Sequence, residues 1–226
     1  MAKKKTAARK TSGRKAAGLE DRVKALERRL QELTNSPLFA LADVLVLEKG
    51  KGCTTVKVIG NLQIVNGKGK TDSTNGCGNL IIGYNEASTA PGSPTARSGS
   101  HNLVLGRFHS HATYGCLLAG EKNAALANAS SSCLAGGSEG SASARFGVVV
   151  GGFEGKANSD GCVVIGGFDN GANNAARSVV VGGTNNRADA PGSCVFGGSA
   201  NTTSSAGSTI LGGSNLNTTT PGQRIP

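Results

Sequence analysis

The sequence predicts an all-β chain, a parallel β-roll or β-solenoid of ~15-residue coils, preceded by a short N-terminal coiled-coil helix. Three observations carry this. The first is a column of glycines, Gly83, Gly106, Gly120, Gly136, Gly151, Gly166, Gly182, Gly197 and Gly212, spaced 23 and then 14, 16, 15, 15, 16, 15 and 15 residues apart. The second is the apolar triplet before each glycine, as in Val148-Val149-Val150, Val163-Val164-Ile165 and Val179-Val180-Val181. The third is composition: 35 glycines, no Trp and two Tyr in 226 residues leave little for a conventional globular core. A solenoid needs only a thin one, because each coil stacks on the next about 4.8 Å away.

A coil of this length has room for a short strand, a glycine corner, a second extended run and another turn. The return run shows as a column six residues after each key glycine: Leu126, Ala142, Ala157, Ala172, Ala188, Thr203 and Thr218. These are small or apolar among polar neighbours and read as the inward positions. Gly115, Gly161, Gly192 and Gly207, five residues before a key glycine, mark the other corner, where positive φ is needed.

The pattern resembles the left-handed parallel β-roll of YadA-type (Hep/Hag repeat) trimeric autotransporter adhesin heads. Their unit reads S-V-A-I-G followed by G-x-x-N-x-A-x-G. Ser178-Val179-Val180-Val181-Gly182-Gly183-Thr184-Asn185-Asn186-Arg187-Ala188 comes close, as does Ser208-Thr209-Ile210-Leu211-Gly212-Gly213-Ser214-Asn215. The resemblance covers about residues 100–215 and implies a homotrimer. One departure is the middle of the triplet, often Ala in the family and Ile, Val or Leu here.

Four segments follow in order: a basic tail (1–18), a coiled coil (19–36), a β-rich connector (37–77) and the β-roll head (78–226). The tail holds Lys3, Lys4, Lys5, Arg9, Lys10, Arg14 and Lys15 and no acid. Taking those seven from the 24 basic residues leaves 17 against 14 acidic ones, so most of the net charge of +10 resides there. With no large apolar residue beyond Met1, the tail reads as disordered. Seven lysines and arginines are candidates for binding nucleic acid or another polyanion. No aromatic residue is interleaved with them to stack on bases.

Leu19, Val23, Leu26, Leu30 and Leu33 fall at spacings of 4, 3, 4 and 3. That is a heptad seam, with Arg22 at g and Glu27 at e for interchain pairing. Arg22-Val23-Lys24-Ala25-Leu26-Glu27 resembles the R-h-x-x-h-E motif of short trimeric coiled coils. Two heptads are marginal alone, so something beside them must already trimerise. Pro37 marks the end. In the connector, Val44–Leu47, Thr54–Ile59 and Leu62–Val65 read as strands. The Ala87–Ser100 loop, with Pro91 and Pro94, interrupts the repeat and is expected to protrude.

No constellation supports catalysis, and no cofactor or metal is implied. Gly69-Lys70-Thr71 lacks the upstream glycine of a phosphate-binding loop. His101, His109 and His111 lack a third-ligand pattern and read as exposed loop histidines. Six cysteines have no C-x-x-C spacing; Cys116, Cys133, Cys162 and Cys194 sit in small-residue columns, too far apart for disulfides. There is no apolar signal segment and no ~20-residue membrane span, which leads to the expectation of a cytoplasmic or non-classically exported protein. Two functions remain open. One is a non-enzymatic trimeric fibre or adhesin-head-like module, fixed by its N-terminus and presenting a polar head to a partner. The other is an intracellular scaffold binding DNA or RNA through the basic tail.

Overall fold

A computed structural model describes residues 10–41, 44–174 and 176–226, without the side chains of 10–17, 38 and 40. The tail from Met1 to Arg9 therefore lies outside the described residues. Two compact units divide the chain, Met1–Gln63 and Ile64–Pro226.

The first unit contains α1 (Lys10–Thr34), α2 (Pro37–Ala40) and an antiparallel hairpin of β1 (Leu45–Lys49) and β2 (Thr54–Val58). Helix α1 takes in the heptad segment and the second half of the basic stretch. The sequence there, with Ala16-Ala17 between charged residues, is made mostly of good helix formers. It stops where Thr34 turns its hydroxyl back onto the Leu30 carbonyl (2.9 Å). The helix thus ends just before Pro37, which itself opens α2 in the first helical position, where its missing N–H costs nothing. Two of the three connector strands form; Leu62–Val65 does not pair. Every residue of β1 and β2 is exposed, including Leu47 and Val56. A lone hairpin with no covered face is marginal in water.

The second unit is a parallel β-solenoid. Its front sheet has ten strands stacked in order from Leu80–Ile82 to Arg224–Ile225; its back sheet has eight, from Ser110–His111 to Asn217–Thr218. Each strand pairs in parallel with its counterpart one coil on, as Val148↔Val163 and Val163↔Val179 do. The core between the sheets is two columns wide. The middle residue of each front triplet points inward: Val104, Leu118, Leu134, Val149, Val164, Val180, Val195 and Ile210 are all at most 2% exposed. Opposite them on the back sheet lie Ala125, Ala142, Ala157, Ala172, Ala188, Thr203 and Thr218, all fully buried. Large against small fills the thin interior, which is why the front column is bulky throughout.

Leu126 is not in that column. Ala125 pairs with Ala142, and Leu126 faces outward. The cause is the corner after the front strand. From Gly136 to Gly198 it is made by two glycines, both at positive φ (Gly136 +79°, Gly137 +68°). At Gly106 and Gly120 it is made by one, opened to φ +117° and +105°, so the back strand arrives one residue sooner. The second glycine of the pair is required by close approach as well as by φ. A Cβ on Gly167 would lie 2.2 Å from the Gly183 carbonyl oxygen of the next coil.

The shorter corner also corrects the histidines. His109 and His111 are not exposed loop residues; each is 1% exposed and occupies a core column at the N-terminal coil. Nor does the whole Ala87–Ser100 loop protrude. Its last residues lie along the first back strand: the His111 N–H donates to the Ala96 carbonyl (2.7 Å) and the Gly99 N–H to the His111 carbonyl (2.9 Å).

Candidate binding surfaces

The two sheets turn very different outer faces to the surroundings. On the front sheet the first residues of successive triplets are Leu103, Leu117, Cys133, Val148, Val163, Val179 and Cys194. The third residues are Leu105, Ala119, Ala135, Val150, Ile165, Val181 and Phe196. Both columns are partly or fully exposed, so seven coils expose nothing but apolar side chains and two half-buried thiols. Seven coils at ~4.8 Å and a three-residue width give a flat apolar strip of about 30 by 10 Å. Stripes of that kind are seldom left open to water.

The back sheet's outer face and the corners leading into it are polar and carry ion pairs that cross between coils. Lys122 holds Glu139 (2.9 Å), and Lys156 holds Asp169 (2.7 Å), which also approaches Arg187 (3.7 Å). Singly, such half-exposed pairs contribute about 0–1 kcal/mol. Beside them Asn158 donates to Asn173 (2.7 Å). Asp189 is held above the usual carboxylate range by burial, partly offset by Arg187.

The corners are held by buried side chains. Behind the glycine corner runs a column containing His109, Asn123, Asn170, Asn186 and Asn201, all at most 1% exposed. Each amide closes its own coil and holds the next. Asn186 donates from Nδ2 to the Gly182 carbonyl (3.2 Å) and the Gly198 carbonyl (3.1 Å), while its Oδ1 accepts the Asn201 N–H (3.1 Å). Asn170 serves Asn186 in the same way (3.0 Å) and Asn201 serves Leu216 (3.0 Å). His109 takes the same place, with Nε2 on the Leu105 carbonyl (3.0 Å) and Nδ1 accepting the Asn123 N–H (3.2 Å). The spacing to the key glycine, four residues for Asn170, Asn186 and Asn201, is the signal that could have revealed it.

The predicted site residues separate into described and undescribed ones. Lys3, Lys4, Lys5 and Arg9 fall outside the described residues. The backbones of Lys10, Arg14 and Lys15 belong to α1. Leu19, Val23, Leu26, Leu30 and Leu33 sit on α1 between 45 and 62% exposed, and Arg22 and Glu27 are exposed beside them without an ion-pair partner among the described residues. Among the described residues, no group of three His, Cys, Asp or Glu could hold a metal, and no helix is long and apolar enough to cross a membrane. None of the six cysteines is in a disulfide: Cys116 and Cys162 are buried, Cys133 and Cys194 half-buried on the front face, Cys53 and Cys77 exposed.

No protein-family model, curated protein or solved structure matches this chain.

Proposed function

We propose that the chain is a homotrimeric, non-enzymatic structural and binding module of the YadA-type head design, fixed through its N-terminal segments and presenting its polar surfaces to a partner. The apolar outer face of the front sheet carries this reading. Removing about 300 Å² per chain from water at about 25 cal/mol/Å² contributes of order 7 kcal/mol per chain before the cost of association. The exposed heptad seam of α1 and the uncovered hairpin each ask for the same remedy. Three copies of one polar surface would add avidity to individually weak contacts.

The test is light-scattering mass on a sizing column at micromolar concentration. The chain is 22.6 kDa, so the expected mass is about 68 kDa for three chains. Val163→Lys with Val179→Lys, on the outer front face, should lower the temperature at which the trimer dissociates while leaving the β-spectrum of the coils unchanged. A monomeric native chain would overturn the reading. The seven basic residues before Leu19 favour a second reading, a scaffold gripping nucleic acid. Material that carries nucleic acid stripped by high salt, and loses it on deletion of residues 1–18, would support that reading instead.

A further inference from the structure

The turn that returns each coil from the back sheet to the front sheet is also built in columns. Its corner residue has positive φ in every coil, as Gly115, Ser131, Phe146, Gly161, Arg177, Gly192 and Gly207. Each N–H donates to the carbonyl one coil earlier, as Ser131 does to Tyr114 (3.1 Å), Phe146 to Ser130 (3.1 Å) and Gly161 to Arg145 (3.0 Å). Those accepting residues are a column of their own, and it changes character along the rod. Its later members are Ala176, Pro191 and Ala206, which have nothing to offer a ligand. It begins at the buried Ser100, and the next four are Tyr114, Ser130, Arg145 and Asp160.

The same region holds the largest departure in coil length. Nine residues separate the inward Ala125 from the inward Leu134, against seven from Ala142 to Val149 and from Ala157 to Val164. The two extra residues are locked in place. Ala129 is fully buried, its N–H donates to the Leu126 carbonyl (2.9 Å), and its carbonyl accepts the Cys116 thiol (3.2 Å). The result is one wall of a groove of about 520 Å³, lined by Tyr114, Asn128, Ser130, Ser143, Arg145 and Asp160 among others.

The chemistry of the lining selects the ligand. Arg145 is spent on Asp160: Nη2 donates to Oδ2 (2.6 Å), and the Arg145 N–H donates to Oδ1 (3.1 Å). The hydrogen bond from Arg145 holds the Asp160 carboxyl below its usual range. The pair is neutral as a unit, so a phosphate or carboxylate finds no free cation there. The pair still has donors and lone pairs to spare. The Tyr114 hydroxyl and the Asn128 amide make no hydrogen bond within the described residues. A ring, an amide and a neutral ion pair around a groove of small-molecule size suit a ligand with apolar C–H faces and adjacent hydroxyls.

We propose that this groove binds a neutral oligosaccharide segment of about two pyranose rings. Tyr114 stacks on a sugar face; Asn128 and the Arg145–Asp160 pair bond hydroxyls. This names a ligand class for the binding module proposed above and rests on that reading. The experiment uses the full chain, with cellobiose, maltose, lactose and N,N′-diacetylchitobiose each at millimolar concentration. Binding is read by saturation-transfer NMR and titration calorimetry, on samples whose mass is measured first. At least one disaccharide is expected to bind, with affinity lowered about tenfold or more by Tyr114→Ala and by Asn128→Ala, and unchanged by Ala206→Ser at the equivalent place in a later coil. No binding by any of the four overturns the groove proposal, as does binding that survives both substitutions. A trimer that binds none removes the sugar site alone. A monomer that binds one removes the assembly alone.

Discussion

Replacing Asn186 by Ala tests whether the buried amide column holds the coils together. The side chain is fully buried and makes three hydrogen bonds. Their loss is uneven. The Gly182 carbonyl keeps the Asn170 amide (3.1 Å), and the Gly198 carbonyl keeps the Thr184 N–H (3.0 Å). The Asn201 N–H, fully buried with its residue, loses its acceptor outright. An orphaned buried donor costs about 1–3 kcal/mol, and two partly replaced bonds add about 1 kcal/mol together, giving roughly 2–4 kcal/mol. In a stack of coils that loss is local before it is global. Native-state hydrogen exchange is therefore the assay, with chain concentration held fixed. Protection of the Asn201 amide and its neighbours should fall by about 30-fold or more, while the coils around Val149 change little. Ser199→Ala, on the exposed corner one coil on, is the control and should move protection less than about twofold. Equal effects of the two substitutions would refute the claim that the amides bind coil to coil.

Glycine pairs should respond unequally. A Cβ at Gly166 meets nothing within 4 Å, whereas at Gly167 it collides with the next coil's backbone, so Gly166→Ala should cost about 1 kcal/mol and Gly167→Ala several times that in urea unfolding. His111 has both ring nitrogens unpartnered in a buried site, and burial, then Arg97 and His109, lower its pKa from 6.5. The unfolded chain then binds the extra proton, so this part of the stability is present above about pH 6.5 and is lost as pH falls below it. His111→Ala, the residue used elsewhere in the column, should flatten that acid dependence in a melting series. Thiol labelling should find Cys53 and Cys77 fast in every sample and Cys116, raised by burial, and Cys162 reactive only on unfolding. Cys133 and Cys194, on the front face, should be slow in the assembled protein and fast in the Val163→Lys, Val179→Lys variant.

Much of the solenoid was legible because its two strongest columns are spelled in residue types with few alternatives. A glycine at steady spacing and a bulky aliphatic two residues before it survive in every regular coil. What failed was register where a coil changes length. Counting six residues from Gly120 puts Leu126 inward, but Gly120 has no second glycine after it and the inward place falls to Ala125. His111 was hidden by the same missing residue. The left-handed residues Ser131, Phe146 and Arg177 were invisible for another reason: side-chain type alone does not announce positive φ, and here the column around them imposes it. The amide column was half visible, in the asparagine of the repeat motif, but its role depends on a contact between coils that no single repeat contains.

The outer front face holds the remaining lesson. A strand covered on one side alternates, and the back strands do so: Lys156 or Arg187 outward, Ala157 or Ala188 inward. A strand apolar at every position belongs between two covered faces. Val163-Val164-Ile165 is written that way, yet within one chain only Val164 is buried. Both sheets come from the same repeat and the same solvent, so composition alone cannot account for the contrast. Within the solenoid's own described residues nothing covers those apolar flanks. That exposure is the physical ground for the proposed trimer. Under that proposal the roles within the head separate: the front face for assembly, and the back face and return turns, where the ion pairs and the groove lie, for contact with a partner.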